Sequence, residues 1–398
     1  MLYLYNSITR KKEKFVSLED KKVKMYVCGI TPYDTTHLGH AFTYVSFDVL
    51  FRYLKYIGYE VIYTQNVTDI DDDILRKAKE EKRNWQELGG FWTKKFLLDM
   101  KSLNVLPPTN YVKATDSIAK IVEIVKLLID KKFAYERSGN VYFEVSKFRS
   151  YGKLSGFNKK QMLIIAKERG GNPDDPLKKD PLDFLLWQKS KKDEPFWNSP
   201  WGKGRPGWHI ECSAMIKNYL GDQIDIHGGG RDLVFPHHES EIAQSERFTG
   251  KKPFVKFWLH TAMVLYQGEK MAKSLGNLVM ISDLLKRNTA NEIRWLLLSH
   301  RYRKPWEFEE EEFEKTKEKF STVLKALKDV KETNKTSSLN MIKFSSIMDD
   351  DLDTPQALTF LVNLAKEILK KNSNEGNEDK TKLKFTLLKC LLVLGFKL

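Results

Sequence analysis

Two thiols, one imidazole and one carboxylate, Cys28, Cys212, His237 and Glu241, are side chains of the types that ligate zinc, which accepts sulfur, nitrogen and oxygen donors. A donor set of this kind can recognise a sulfur atom. Cys28 closes the apolar run KVKMYVCG, which reads as a strand running into a glycine turn. His237 and Glu241, within FPHHESEIAQSE, are four positions apart and are expected on one face of a helix. Their neighbours His238 and Glu239 are expected to point to other faces of that helix and to make poorer ligands.

A second pair of motifs suits phosphate chemistry. In CGITPYDTTHLGHAFTY, His37 and His40 stand one turn apart with Gly39 between them, where the pattern opens a helix. Backbone N–H groups at a helix start attract anions, imidazole N–H groups can follow charge developing on a transferring phosphoryl group, and a glycine admits a flat base closely. Taken alone, H-x-G-H is also satisfied by a helix-start turn with capping histidines. Far downstream, KMAKSLGN (270–277) places Lys270 and Lys273 three apart in a short loop, where two ammonium groups can clamp a polyphosphate. A lone lysine pair reads as an exposed loop, and its co-occurrence with HLGH favours the phosphate reading.

These side chains need a scaffold. From residue 21, KMYVCG reads as strand, HAFTYVSFDVLFRYLKYIG as helix, YEVIYTQNV as strand, and DIDDDILRKAKEEKR as the start of a charged helix, which is βαβ logic. Thr115 and Asp116 offer an N-cap before an apolar stripe at Ile118, Ile121, Val122, Val125, Leu128 and Ile129. AYERSGNVYFEV then reads as a hairpin turning at Ser138 to Asn140, the whole forming an insertion. Residues 157–206, rich in Lys, Asp, Pro and Gly with Trp187, Trp197 and Trp201 among them, read as a mostly irregular surface crossover. DQIDIHGGGRDLVFPHHESEIAQSE restores strand, glycine turn and helix, completing a parallel sheet once the insertion is looped out. Beyond Glu307 the pattern is helical to the end, with a polar break at Ser373 to Lys380. The acid runs Asp71 to Asp73, Glu307 to Glu312 and Asp349 to Asp351 read as helix starts and solvated faces rather than as two-metal sites. Cys390, in FTLLKCLLVLGF, reads as a core thiol.

With 398 residues and 41% hydrophobic content the chain can bury a sizeable core in two or three domains. A net charge of +14 and a pI near 9.3 suit a polyanionic partner, or equally a lysine-rich solvated surface. Three cysteines are too few and odd in number for a disulfide framework, which predicts a reducing, cytoplasmic location. No export signal opens the sequence, and no run reaches the ~18 apolar residues of a membrane span, so no membrane partner is expected.

The order HLGH, HGGGRDLVFPHHESEIAQSE, KMAKSLGN resembles the class I aminoacyl-tRNA synthetases, and within them the cysteinyl members. The likeness runs from about Leu4 to about Leu394, through NVTDIDDDILRKA, YGKLSG, DPLDFLLWQ, GRPGWHIECSAM and MDDDLDTPQAL. It implies an α/β fold: a Rossmann-type parallel-sheet catalytic domain with an inserted connective domain, followed by an α-helical bundle. The implied divisions are 1–115 and 207–255 for the catalytic halves, 116–206 for the insertion, 256–310 for the KMAKS loop and stem-contact region, and 311–398 for the bundle. It further implies one Zn2+ on Cys28, Cys212, His237 and Glu241 that receives the thiol of L-cysteine, with no separate editing site. His37, His40, Lys270 and Lys273 become the catalytic set, and ATP with Mg2+ would contact these four together with Thr31, Gly39, His227, Gly229 and Asp232. Gly29, Thr31, Thr68 and Trp208 would lie beside the substrate cysteine, with a core tryptophan as the alternative reading of Trp208. The implied macromolecular partner is tRNA(Cys), bound by a monomer. Two departures stand out: KMAKS replaces KMSKS, and the family's further anticodon-contacting domain is not expected after Leu398. Rival readings are the related ligase that joins cysteine to an amino sugar in mycothiol synthesis, and a non-catalytic zinc- and RNA-binding paralogue.

Overall fold

The computed structural model describes residues 1–34, 36–271, 275–328, 335–371 and 377–398. Its centre is a five-stranded sheet in the order Val255–Thr261, Ile224–Gly230, Lys22–Ile30, Glu60–Val67, Asn110–Lys113, with every neighbouring pair parallel. The chain lays down Lys22–Ile30 first, builds outward to Asn110–Lys113, and returns to the other side of the first strand with Ile224–Gly230. That reversal makes a topological switch point between Lys22–Ile30 and Ile224–Gly230, and open parallel sheets bind ligands at the carboxyl ends of strands at such a point.

Strand Lys22–Ile30 is buried on both faces, which is why it reads as a continuous apolar run instead of an alternating one. Period two still sorts its side chains. Val23, Met25 and Val27 enter one core, while Tyr26 and Cys28 enter the other. Gly29 cannot carry a side chain, since a Cβ there would stand 1.5 Å from the Asn66 carbonyl oxygen. The ladder to Glu60–Val67 shifts register between Val27 and Ile30, and the Gly29 N–H donates to Asn66 Oδ1 at 2.8 Å.

The expected helix forms as Leu38–Tyr56 and crosses over the sheet with twelve of its residues buried, Leu38 through Leu54. The Ser138 hairpin also forms, with Ser138 and Gly139 both at positive φ. Residues 157–206 are mostly irregular, as expected, but they are more than a surface crossover. They contribute the helix Lys159–Glu168 and the strands Phe184–Lys189 and Gly204–Pro206, which join Ala134–Arg137 and Asn140–Phe143 in a four-stranded antiparallel sheet. Trp187, interspersed in that polar stretch, is fully buried and anchors this sheet to the core shared with Cys28. An isolated buried tryptophan with no period around it marks a packed edge that alternation cannot reveal.

The C-terminal helices Glu310–Leu327, Ser338–Met348, Thr354–Lys370 and Asn377–Val393 pack on one another and on the parallel-sheet part. Part of the expected polar break, 373–376, lies outside the described residues, and helix resumes at Asn377, inside the expected break. The run Asp349–Asp351 is not simply a solvated helix start. Asp351 is 3% exposed, bonds the Tyr5 N–H and the Tyr302 hydroxyl, and pairs with Arg303 Nε at 2.5 Å. Asp349 accepts from the Tyr53 hydroxyl, so the run ties the helical region to the N-terminal strand Tyr3–Asn6 and to helix Leu38–Tyr56. Asp71 does cap its helix, accepting from the Asp73 N–H at 2.8 Å.

A second tie is fully buried. Arg294 pairs with Asp48 of helix Leu38–Tyr56 and donates to the carbonyls of Leu394 at 2.7 Å and Leu103 at 2.9 Å. One guanidinium thus joins three separate segments. Removing one partner of a buried pair leaves the other charge poorly compensated, so Arg294→Met is expected to destabilise the protein by about 3–5 kcal/mol. The shift of its urea midpoint against the parent measures this.

Candidate active site

Helix Trp208–Tyr219 and the segment Val234–Thr249 face the carboxyl end of strand Lys22–Ile30, and between them they gather the sequence-predicted donors. Cys28 Sγ lies 3.9 Å from Cys212 Sγ and 3.9 Å from Glu241 Oε1, and His237 Nε2 lies 3.1 Å from the same Glu241 oxygen. All four residues are buried. The donor atoms lie within 4.8 Å of one another, a spacing that one metal ion bridges.

A second set, Cys28, His227, His238 and Glu241, meets the same distance test among the described residues. His238 therefore does not point away from the site. Its Nε2 sits 3.3 Å from Cys28 Sγ, because Val234–His238 is a wider π-type turn with Phe235 extended, and the helix proper starts only at Glu239. Helical spacing fails at 237 and 238 for that reason. Glu239 does point elsewhere, accepting from the Ser155 N–H at 2.9 Å. The two sets differ in access. Cys28, Cys212 and His237 line the open cleft, whereas His227 and His238 lie behind it.

An outer layer of imidazoles steadies the donors; the sequence reading named His227 and His238 in other roles and did not single out His209 or His260. His209 Nδ1 is 3.0 Å from His237 Nδ1, which leaves Nε2 of His237 for the centre. His227 Nε2 holds the other oxygen of Glu241 at 3.0 Å, so this residue braces a donor and does not line the cleft. His238 leans on His260 at 2.8 Å, and His260 on Ser7 at 2.8 Å. Charge is distributed to match. Burial alone would neutralise every member, yet His227 and His237 hold Glu241 down to about 2, and Cys212 and Glu241 lift His237 to about 10. Burial likewise opposes a thiolate at Cys212, but hydrogen bonding from Cys28 and the charge of His237 bring it to about 6, while burial pushes Cys28 well up. The set thus holds negative charge against a proton, an arrangement in which a cation can take the proton's place.

The cleft, about 1390 Å³, runs from these donors to His37 and His40. His37 caps its helix with Nδ1 accepting from the Gly39 N–H at 3.1 Å, so the ring proton sits on Nε2 as a donor. The two rings stack at 3.9 Å, and a Cβ on Gly39 would come within 2.9 Å of the His37 ring. Burial holds His37 near 3 and His40 near 4, so both are neutral at pH 7. Gly29, Thr31, Thr68, Gly39, Trp208 and Asp232 also line the cleft. Trp208 is half-buried and stacks on His237 at 4.5 Å, beside the donors and not in a core. Gly229 packs against Leu233 and His238, and the lining at that turn comes from Gly230 and Asp232. Lys270 is exposed on the short strand Glu269–Lys270, Met271 and Leu278 border the cleft, and Lys273 lies outside the described residues.

Residues 14–318 match the family model described as tRNA synthetases class I (C) catalytic domain, and residues 343–398 match the DALR domain. A Cysteine--tRNA ligase of Legionella pneumophila is 46% identical over 405 aligned residues, covering 100% of this chain and 85% of that protein. The chain belongs to the Cysteine--tRNA ligase family. Another member, from Dehalococcoides mccartyi, is 46% identical over 98% of this chain and 86% of its own length. A third, from Thermococcus onnurineus, is 45% identical over 89% of this chain and 77% of its own. The fold is shared more widely. A Mycobacterium tuberculosis methionyl-tRNA synthetase in complex with methionyl-adenylate superposes with a TM-score of 0.65 at 14% identity, covering 94% of this chain and 89% of that one. A leucyl-tRNA synthetase of Agrobacterium radiobacter gives 0.67 at 10% identity, over 96% and 84%. Among the described residues no helix is long and apolar enough to cross a membrane.

Proposed function

We propose that this protein activates L-cysteine with ATP and passes the cysteinyl group to the terminal ribose of tRNA(Cys). The observation that carries the reading is the donor set Cys28, Cys212, His237 and Glu241 at the floor of a cleft that His37 and His40 also line. Two thiols, an imidazole and a carboxylate at these spacings, with the His237 ring held by His209, fit zinc. Zinc held by these four residues would supply a Lewis acid that favours a substrate thiolate, which a serine hydroxyl or an alanine methyl cannot match. Trp208, stacked on His237, would wall the pocket against longer side chains.

The chain's other residues would place the reacting groups. A carboxylate oxygen of cysteine attacks the α-phosphorus of ATP, the bond to the bridging oxygen breaks, and pyrophosphate leaves with its Mg2+. No protein nucleophile is needed. His37, with its proton on Nε2, and its stacked neighbour His40 would donate to the phosphate as charge develops. Lys270 and Lys273 are assigned to the leaving phosphates. A ribose hydroxyl of the tRNA then attacks the carbonyl carbon of the mixed anhydride, losing its proton as AMP departs. The +14 charge suits that polyanionic partner. Cysteine-dependent exchange of pyrophosphate into ATP, followed by charging of tRNA(Cys), tests the reading; absence of exchange, or exchange driven equally by serine, contradicts it.

A further inference from the structure

One buried carboxylate at the cleft floor has no part in that scheme. Glu211 directly precedes Cys212 on helix Trp208–Tyr219, is 1% exposed, and lines the cleft with Thr68, Trp208 and Cys212. Its Oε2 has no hydrogen-bond partner. The Thr68 hydroxyl donates to the carboxylate, but the charged groups acting on it most strongly, Cys212, Asp71 and Asp69, are all acidic. Those two aspartates have occupations of their own. Asp69 accepts from the Thr115 backbone at 3.0 Å and hydroxyl at 2.6 Å, and Asp71 caps its helix. Arg205, a cation of the same wall, is turned to Asp72 and, at 3.8 Å, to Glu194. An enclosed carboxylate short of a donor is costly, and a cationic N–H donor arriving from the cleft removes the cost.

We propose that Glu211 binds the α-ammonium group of the substrate cysteine, so that the substrate is held by its sulfur at the four-donor set and by its nitrogen at Glu211. This rests on the function proposed above. Two fixed points leave the α-carboxylate as the substituent free to turn toward the histidine end of the cleft, where the phosphate is expected. A thiol without an amine would keep only the first point.

The test uses the metal-loaded full chain and three thiols: L-cysteine, cysteamine, which keeps the ammonium, and 3-mercaptopropionate, which lacks it. In the parent protein cysteamine should compete against cysteine activation at least about tenfold better than 3-mercaptopropionate. Glu211→Gln should erase that preference to within about threefold, with metal content and 3-mercaptopropionate binding unchanged, while Glu211→Asp should keep part of it. Equal competition by both analogues in the parent, a preference that survives in Glu211→Gln, or equal weakening of both thiols would overturn the proposal. The parent comparison stands even if the variants fail to fold. Should neither analogue bind the parent, the sulfur reading itself fails instead.

Discussion

Cys212→Ala is expected to lose most of its bound metal and to lower cysteine-dependent pyrophosphate exchange by about a thousandfold or more, because a first-sphere thiolate is removed where even outer partners are worth about 10–100-fold. The substitution is small and the residue sits on a helix that accepts alanine, so folding should survive. What remains, Cys28, His237 and Glu241, holds fewer donors and loses the sulfur that His237 and Cys28 stabilise as a thiolate. Metal per chain and kcat/KM for cysteine should therefore fall together. Full-rate exchange in a metal-depleted variant would remove the metal from the account.

His40→Ala should act on a different quantity. The ring is neutral at pH 7 because burial holds it near 4, so it offers a single N–H as donor, and its worth is realised as charge develops on the phosphate. We expect kcat for exchange to drop by about 100–1,000-fold with KM for cysteine within about threefold. The rate of the parent should also show no inflection near pH 6.5 from either imidazole, since both His37 and His40 have left that range. Equal losses in kcat/KM and in cysteine binding would move His40 from the phosphate to the amino acid pocket.

Legibility in the sequence varied with how local the signal was. Strand Lys22–Ile30 and helix Leu38–Tyr56 announce themselves through apolar runs, and the strand end fixes Cys28 at the switch point. Pattern alone could not place His238, because a π-type turn with an extended Phe235 breaks the 100° step on which the face assignment depends. Trp187 and its sheet stayed hidden because Phe184–Lys189 pairs on one side with Asn140–Phe143, some forty residues earlier, and on the other with Gly204–Pro206 across a polar stretch. The burial of Asp351 depends on Arg303, Tyr302 and Tyr5, three residues remote in sequence, so a local reading could see only an acid run. His209, three residues before Cys212 on one helix, was visible as an imidazole near a thiol, but only its 3.0 Å contact with His237 shows what it does. Glu211 gave no sign at all, since a carboxylate in a helix is ordinary until its burial is known.

The most direct test of the central claim is X-ray absorption at the zinc edge of the metal-loaded protein, counting sulfur neighbours with and without L-cysteine. Two sulfurs at about 2.3 Å, from Cys28 and Cys212, should become three when cysteine is added and remain two with serine. A count that stays at two with saturating cysteine would show that the substrate's sulfur is recognised elsewhere.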